Sequence, residues 1–201
     1  MPVTDPSTDG RTARAQRTRQ AIVDALLALI DDGELAPTAP RIAQRAGVSL
    51  RSIYQHFEDL EALFGAASAR QIERVLDMAT RIPPEGDVEA RVEAFTVQRA
   101  RILEAMTPVR RAALLQEPFS AQLRDSRRRM ESLGRSEIGH LFASELDRLA
   151  PADRKEVHAG LEVASGWAAW DHMRATGLGT DEARRVMRRT MLALLTNRGT
   201  P

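Results

Sequence analysis

The sequence predicts an all-α chain: an N-terminal three-helix domain carrying a helix-turn-helix, followed by a larger helical bundle. Three observations lead there. Hydrophobic residues make up 43% of the 201 residues but aromatics only 4%, with Ala, Leu and Arg abundant, a balance that favours packed helices over sheets. Apolar residues recur at helical spacing through most of the chain, with no strand-like alternation and no internal repeat. Finally, Thr38 to Phe57 (TAPRIAQRAGVSLRSIYQHF) reads as a helix, a tight turn and a second helix.

Composition narrows the function. Net charge is only +1, so any nucleic-acid surface has to be local. With no cysteine there is no disulfide framework, thiolate metal site or thiol nucleophile. No apolar stretch is long enough to span a bilayer, and MPVTDPSTDG lacks the apolar core of a signal peptide. A soluble, cytoplasmic protein without membrane contact is expected.

Residues 1–10 are Pro, Ser, Thr, Asp and Gly for the most part and read as a disordered tail. Arg11, Arg14, Arg17 and Arg19 follow, either a solvated helix start or a basic arm. Ile22, Leu26, Leu29 and Ile30 predict an amphipathic helix over roughly residues 12–32, ended by Gly33, with Leu35 in the connection. Thr38 is the expected N-cap of the next helix, with Pro40 tolerated in its first turn.

Ala43, Gly47 and Ile53 stand at the spacing of the helix-turn-helix. Ala43 lets the helices approach, Gly47 can take a left-handed turn, and Val48 follows it. Ile42 and Ile53 are expected to meet beneath the turn, and Ser49 to cap the second helix. That helix, residues 50–56, presents Arg51, Ser52, Tyr54, Gln55 and His56, all able to bond phosphates or base edges. Arg41, Arg45 and Arg51 occur in residues 38–57 and no acid does, as a DNA-facing surface requires. An ordinary αα corner would share the small-Gly-apolar spacing; the charge and the Tyr-x-His pair favour DNA.

Glu58 and Asp59 open a further helix whose apolar residues, Leu60, Leu63, Phe64, Ala67, Ile72, Val75 and Leu76, extend it to about Thr80. Pro83 and Pro84 exclude helix interior over IPPEGD. Beyond it the expected helices are residues 88–106, a short one over 109–115 after Pro108, and a long one over about 120–149. Residues 153–176 and 180–197 complete the series, with Thr180 capping the last helix. Arg127, Arg128 and Arg129 look like a second DNA patch, but Asp125 and Glu131 beside them favour a solvated helix face.

Residues 22–64 resemble the TetR family of bacterial transcriptional repressors, most strongly in IAQRAGVSLRSIYQHFEDLEALF. The shared pattern is Ile-Ala, Ala-Gly-Val-Ser, a Tyr-x-His-Phe ending and Ala-Leu-Phe beyond it. The resemblance implies a DNA-binding domain over residues 11–64 and a ligand-binding and dimerisation domain over 65–201. It implies phosphate contact at Thr38, major-groove contact at Arg51 and Ser52, and a backbone clamp from Tyr54 and His56. With Ser49, Leu50 and Gln55 these are the candidate DNA-binding residues. Two positions depart from the pattern: Leu60 replaces a common lysine, and Glu34 a usual aromatic or large apolar residue.

One short motif grips DNA weakly, so a homodimer reading two half-sites of a roughly palindromic double-stranded operator is expected. The family usually dimerises through its last two long helices. Here His158 to Trp170 is rich in small residues (Gly160, Ala164, Ser165, Gly166, Ala168, Ala169), and Val186, Met187, Thr190, Met191 and Leu194 form an apolar stripe. The same features would suit an intramolecular core pair.

The resemblance also implies a small-molecule effector pocket, for which Met106, Phe119, Met130, Trp167, Trp170 and Met173 are candidates, suiting an apolar or amphipathic effector. His140, His158 and His172 are either ligand-facing or surface residues. Two other functions remain: an adaptor that has lost DNA affinity, supported by Leu60, and a helical metal-dependent enzyme. The enzyme would rest on Glu137-x-x-His140, which has no second copy; no catalytic or metal-ligating set and no cofactor motif is found.

Overall fold

The computed structural model describes residues 6–196, with side chains from residue 10 onward. Among these it is all-α, with helices α1 (Pro6–Asp31), α2 (Ala39–Ala46), α3 (Leu50–His56), α4 (Leu60–Met78) and α5 (Val88–Gln116). A 3-10 turn (Glu117–Phe119) precedes α6 (Ala121–Leu141), α7 (Ala143–Leu146), α8 (Pro151–Ala164), α9 (Trp167–Ala175) and α10 (Thr180–Thr196). Helix α1 starts six residues before Thr12, so residues 6–10 of the expected disordered tail are helical, and residues 1–5 lie outside the described residues. Pro6 at the first helical position is compatible with that start, because its missing N–H would have no helical partner there.

The chain forms two compact units. The first runs to Arg74 and takes in Pro108–Ser126. Its core joins Ile22, Leu26, Leu29 and Ile30 of α1 to Ile42 of α2, Ile53 of α3 and Leu63 and Phe64 of α4. Ile42 and Ile53 are both fully buried, as their spacing predicted. Val109 and Ala112 of α5 close the same core, and Asp24 of α1 is paired with Arg74 of α4 at 3.1 Å.

The second unit comprises Val75–Thr107 and Arg127 onward. Phe95 and Phe142 meet edge to face at 5.9 Å between centroids, and Trp170, Met187 and Met191 are buried around them. A carboxylate of α7, Glu145, accepts from Arg91 at 2.6 and 3.0 Å, and Arg91 also donates to the Leu141 carbonyl at 2.6 Å. That carbonyl lies where α6 ends. Arg91 thus ties α5 to the break at Phe142, which separates α6 from α7 inside the single helix expected over 120–149.

Two further boundaries differ from expectation. Helix α5 runs unbroken through Pro108, although a proline costs a helix interior about 3 kcal/mol. Leu103 before it and Val109 and Ala112 after it are buried, and their packing outweighs the local penalty. Conversely, the helix expected over 153–176 is split at Ser165 and Gly166. The Ser165 hydroxyl donates to the Leu161 carbonyl at 2.7 Å, and Gly166 becomes the N-cap of α9. A Cβ at Gly166 would stand 2.9 Å from the Glu162 carbonyl, which is why this corner takes glycine. Helix α10 begins at Thr180, with the preceding Gly179 N–H held by the Glu182 carboxylate at 2.7 Å; residue 197 lies outside the described residues.

Candidate nucleic-acid interface

Helices α2 and α3 are joined by a turn whose geometry follows from its residues. Gly47 sits at φ 66° and ψ 33°, left-handed backbone that a side chain disfavours, and its N–H bonds the Ala43 and Gln44 carbonyls. The Ser49 hydroxyl accepts from the Ser52 N–H at 3.1 Å, capping α3 as predicted. At the other end Phe57 is buried in the core, and the Arg19 guanidinium lies 4.6 Å over its ring, anchoring α1 to the exit of α3. A helix of seven residues is thereby fixed at both ends by the unit around it.

What α3 keeps outward is polar apart from Leu50. Leu50, Arg51, Tyr54 and Gln55 are exposed, Tyr54 by 52%, while Ser52 and His56 are half-buried and Ile53 alone points inward. The Arg51 guanidinium makes no ion pair or hydrogen bond among the described residues. Exposed Thr38 occupies the N-cap position of α2 but makes no side-chain cap, contrary to the expected role. Pro40 at the second helical position removes one of the N–H groups a cap could take, and the Thr38 hydroxyl makes no hydrogen bond among the described residues.

The charge pattern differs from that of the isolated stretch. Arg45 pairs with Asp32 at 2.8 Å, and Arg41 with Glu34 at 3.3 Å while also donating to Gln44. Both acids stand just outside residues 38–57, in the α1–α2 connection, so proximity in sequence was the available signal. Leu60 is half-buried against the core of the unit, occupying the position of the family's usual lysine with packing instead of charge.

Of the six candidate effector residues, Met106, Trp167, Trp170 and Met173 share the core cluster of the second unit, whereas Phe119 and Met130 are not part of it. Phe119 belongs to the first unit and is 83% exposed, because it follows Pro118 in a 3-10 turn that points it outward. Trp170 is fully buried in the second unit, its indole donating to Glu104 at 2.8 Å, and half-buried Trp167 donates to Thr107 at 3.1 Å. Met106 and Met173 pack against the core of that unit, and Met130 is half-buried on α6. The second unit has a cavity of about 780 Å³ whose lining includes none of the six: Met78, Val97, Ala100, Arg101, Glu104, Ala105, Thr180, Asp181 and Arg184. Its walls come from three helices far apart in sequence, so periodicity gives no sign of it.

Glu137 is engaged by Arg99 at 2.6 Å and Gln98 at 3.3 Å, and its neighbour in the Glu-x-x-His spacing, His140, is exposed. His158 bonds Glu162, and His172 is exposed on α9, a different helix from the one carrying His158. No group of three His, Cys, Asp or Glu among the described residues could hold a metal ion, and none of the described helices is long and apolar enough to cross a membrane.

Residues 22–67 match the model of bacterial regulatory proteins of the tetR family. No curated protein matches the chain. Among solved structures, the 1.54 Å crystal structure of a candidate TetR-family transcriptional regulator from Mesorhizobium loti MAFF303099 is similar, with a TM-score of 0.64 and 21% identity over 90% of this chain and 96% of that one. A transcriptional regulator from Rhodococcus sp. Rha1 is similar with a TM-score of 0.66 and 18% identity, over 90% of this chain and 95% of that one. Over residues 22–67 the chain thus matches the tetR family of bacterial regulatory proteins, and its fold is similar to those of the two regulators.

Proposed function

We propose that the protein is a cytoplasmic, ligand-responsive transcriptional repressor that binds a palindromic operator as a homodimer and leaves it when an effector binds. The observation that carries this is the outward face of α3, a capped helix presenting Arg51, Tyr54 and Gln55 from a rigid support. Arg51 has the reach for guanine O6 and N7 as a bidentate donor. Thr38, Ser49, Leu50, Ser52, Tyr54, Gln55 and His56 position the helix on backbone and groove. DNA recognition falls to residues 11–64, and effector binding and dimerisation to 65–201.

Dimerisation is assigned to the last helices. Gly160, Ala164 and Ser165 are used within the unit, Gly160 against Leu194 of α10. Ala159 and Val163 (70% exposed) of α8 are outward at helical spacing, as are Val186 (44%), Thr190 and Ala193 of α10. Such outward faces on the two helices suit a two-fold contact with a second copy. Effector binding shifts the population of dimers toward one whose motifs no longer match both half-sites; DNA affinity changes only as far as the effector prefers one state. Catalysis is no part of this reading, since Glu137 is committed to Arg99 and Gln98.

The test is fluorescence anisotropy against DNA from the gene's own upstream region and against random DNA, at several salt concentrations, with Tyr54→Ala alongside. Selective binding that weakens with salt and with the substitution is expected. Equal affinity for both DNAs at every salt concentration, unchanged by Tyr54→Ala, would favour the adaptor.

A further inference from the structure

The cavity of the second unit lies within the size range of small-molecule sites, and its charges can be accounted for one by one. Met78, Val97 and Ala100 give it an apolar wall, while Arg101, Glu104, Asp181 and Arg184 are its ionisable groups. Glu104 is compensated: its Oε1 accepts from Trp170 at 2.8 Å and from Arg174 at 2.9 Å. Arg184 is ion-paired with Glu93. Asp181 stands in the first turn of α10, where the helix dipole favours a carboxylate. Arg101, like Asp181, is exposed and has no ion pair or hydrogen bond among the described residues, but it stands in the middle of α5, where no helix end offsets its charge.

We propose that this cavity binds a small amphipathic carboxylate, its acid group on Arg101 and its hydrocarbon body along Met78, Val97 and Ala100. A guanidinium meets a carboxylate with two parallel hydrogen bonds, and the apolar wall adds the burial that an exposed charge alone would lack. An amphiphile with a cationic head would meet Arg101 as a like charge, and one with a hydroxyl would gain only a neutral bond. Carboxylates with alkyl and with aromatic bodies share this chemistry. The inference deepens the proposed function by naming the effector's class, and rests on that reading for any effect on DNA.

The full chain would be titrated with decanoate, 4-phenylbutyrate, decanol and decyltrimethylammonium, below their micelle concentrations, following tryptophan fluorescence. Trp170 is the natural reporter, being bonded to Glu104 at the cavity. At least one carboxylate is expected to bind about tenfold or more tightly than the alcohol or the cation. Decanoate alone would indicate an alkyl source and 4-phenylbutyrate alone an aromatic one, both supporting the proposal. Arg101→Gln, an exposed change with little risk to folding, should remove the preference for the acid and leave decanol binding unaltered. Phe119→Ser, in the first unit, should change neither. Binding of none of the four probes, a cation bound as tightly as the acids, or Arg101→Gln without effect on them would each overturn the proposal. DNA anisotropy on the same samples without ligand separates the two readings. Carboxylate binding by a chain that recognises no DNA would remove the regulator and keep the cavity chemistry, and the converse would remove only the latter.

Discussion

The pairing of Arg41 and Arg45 makes a prediction that the sequence stretch alone would reverse. Read as a stretch, residues 38–57 offer three equivalent cations to DNA. In the folded unit Arg45 is held by Asp32 at 2.8 Å and Arg41 by Glu34 at 3.3 Å, which leaves Arg51 as the uncompensated arginine of the three. Each phosphate neutralised contributes about 0.9 to the slope of log affinity against log salt, so one contact changes affinity roughly 3.5-fold for a fourfold change in salt. Arg51→Gln should therefore lower the slope by about 0.9 if Arg51 meets phosphate. If it meets a base, the change should cost about 1–3 kcal/mol of selectivity with the slope intact. Arg41→Gln and Arg45→Gln should leave both quantities nearly unchanged, and because the pairs are exposed each should cost at most about 1 kcal/mol of stability. Anisotropy titrations of the three variants at four salt concentrations make the comparison. A fall in slope for Arg41→Gln or Arg45→Gln as large as for Arg51→Gln would mean that DNA opens these pairs, and the reasoning from static pairing would be refuted.

Other substitutions test the supports of the two units. Gly47→Ala places a Cβ in open space, so its cost is that of left-handed backbone alone, about 1–2 kcal/mol before a small offset from the unfolded chain. Thermal unfolding should show a lower Tm, and Gly47→Asn, which tolerates that backbone better, should lose less. Ser49→Ala removes the cap on the Ser52 N–H and should destabilise the first unit by about 1 kcal/mol, with a matching loss of affinity for DNA only if α3 frays. Arg91→Met leaves the largely buried Glu145 without its partner and should cost about 3–5 kcal/mol in the second unit, measured by denaturant unfolding. Burial by itself would raise the Glu145 pKa, but hydrogen bonds from Arg91 and Ser144 and the Arg91 charge outweigh it and hold the pKa below its ordinary value. The group's contribution is thus complete above about pH 4.5, its ordinary value, and is lost as pH falls through the lowered one; Glu145→Gln should remove that part of the acid sensitivity.

What could be read in advance, and what could not, divides by the range of the forces involved. The turn at Gly47, the cap at Ser49 and the burial of Ile42 and Ile53 in one core are settled by residues within about a dozen positions of one another, and all stand in the structure as expected. Pro108 and Gly166 carry local signals too, yet only one of them breaks a helix. At Pro108 the neighbours Leu103, Val109 and Ala112 are buried, and packing outweighs the missing N–H. At Ser165 and Gly166 a hydroxyl competes for the helical carbonyl, and the backbone approaches too closely for any side chain. The same limit governs function. The exposed face of α3 follows from a seven-residue pattern, whereas the cavity is assembled from the end of α4, the middle of α5 and the start of α10. No window of sequence holds Met78, Arg101 and Asp181 together, so neither its place nor the unmet charge of Arg101 was legible before the chain was folded. The tryptophans and methionines that looked like pocket residues were legible as large apolar side chains, and burial in the core is what that chemistry most directly demands; Trp170, fully buried and bonded to a cavity glutamate, reaches the site only through Glu104.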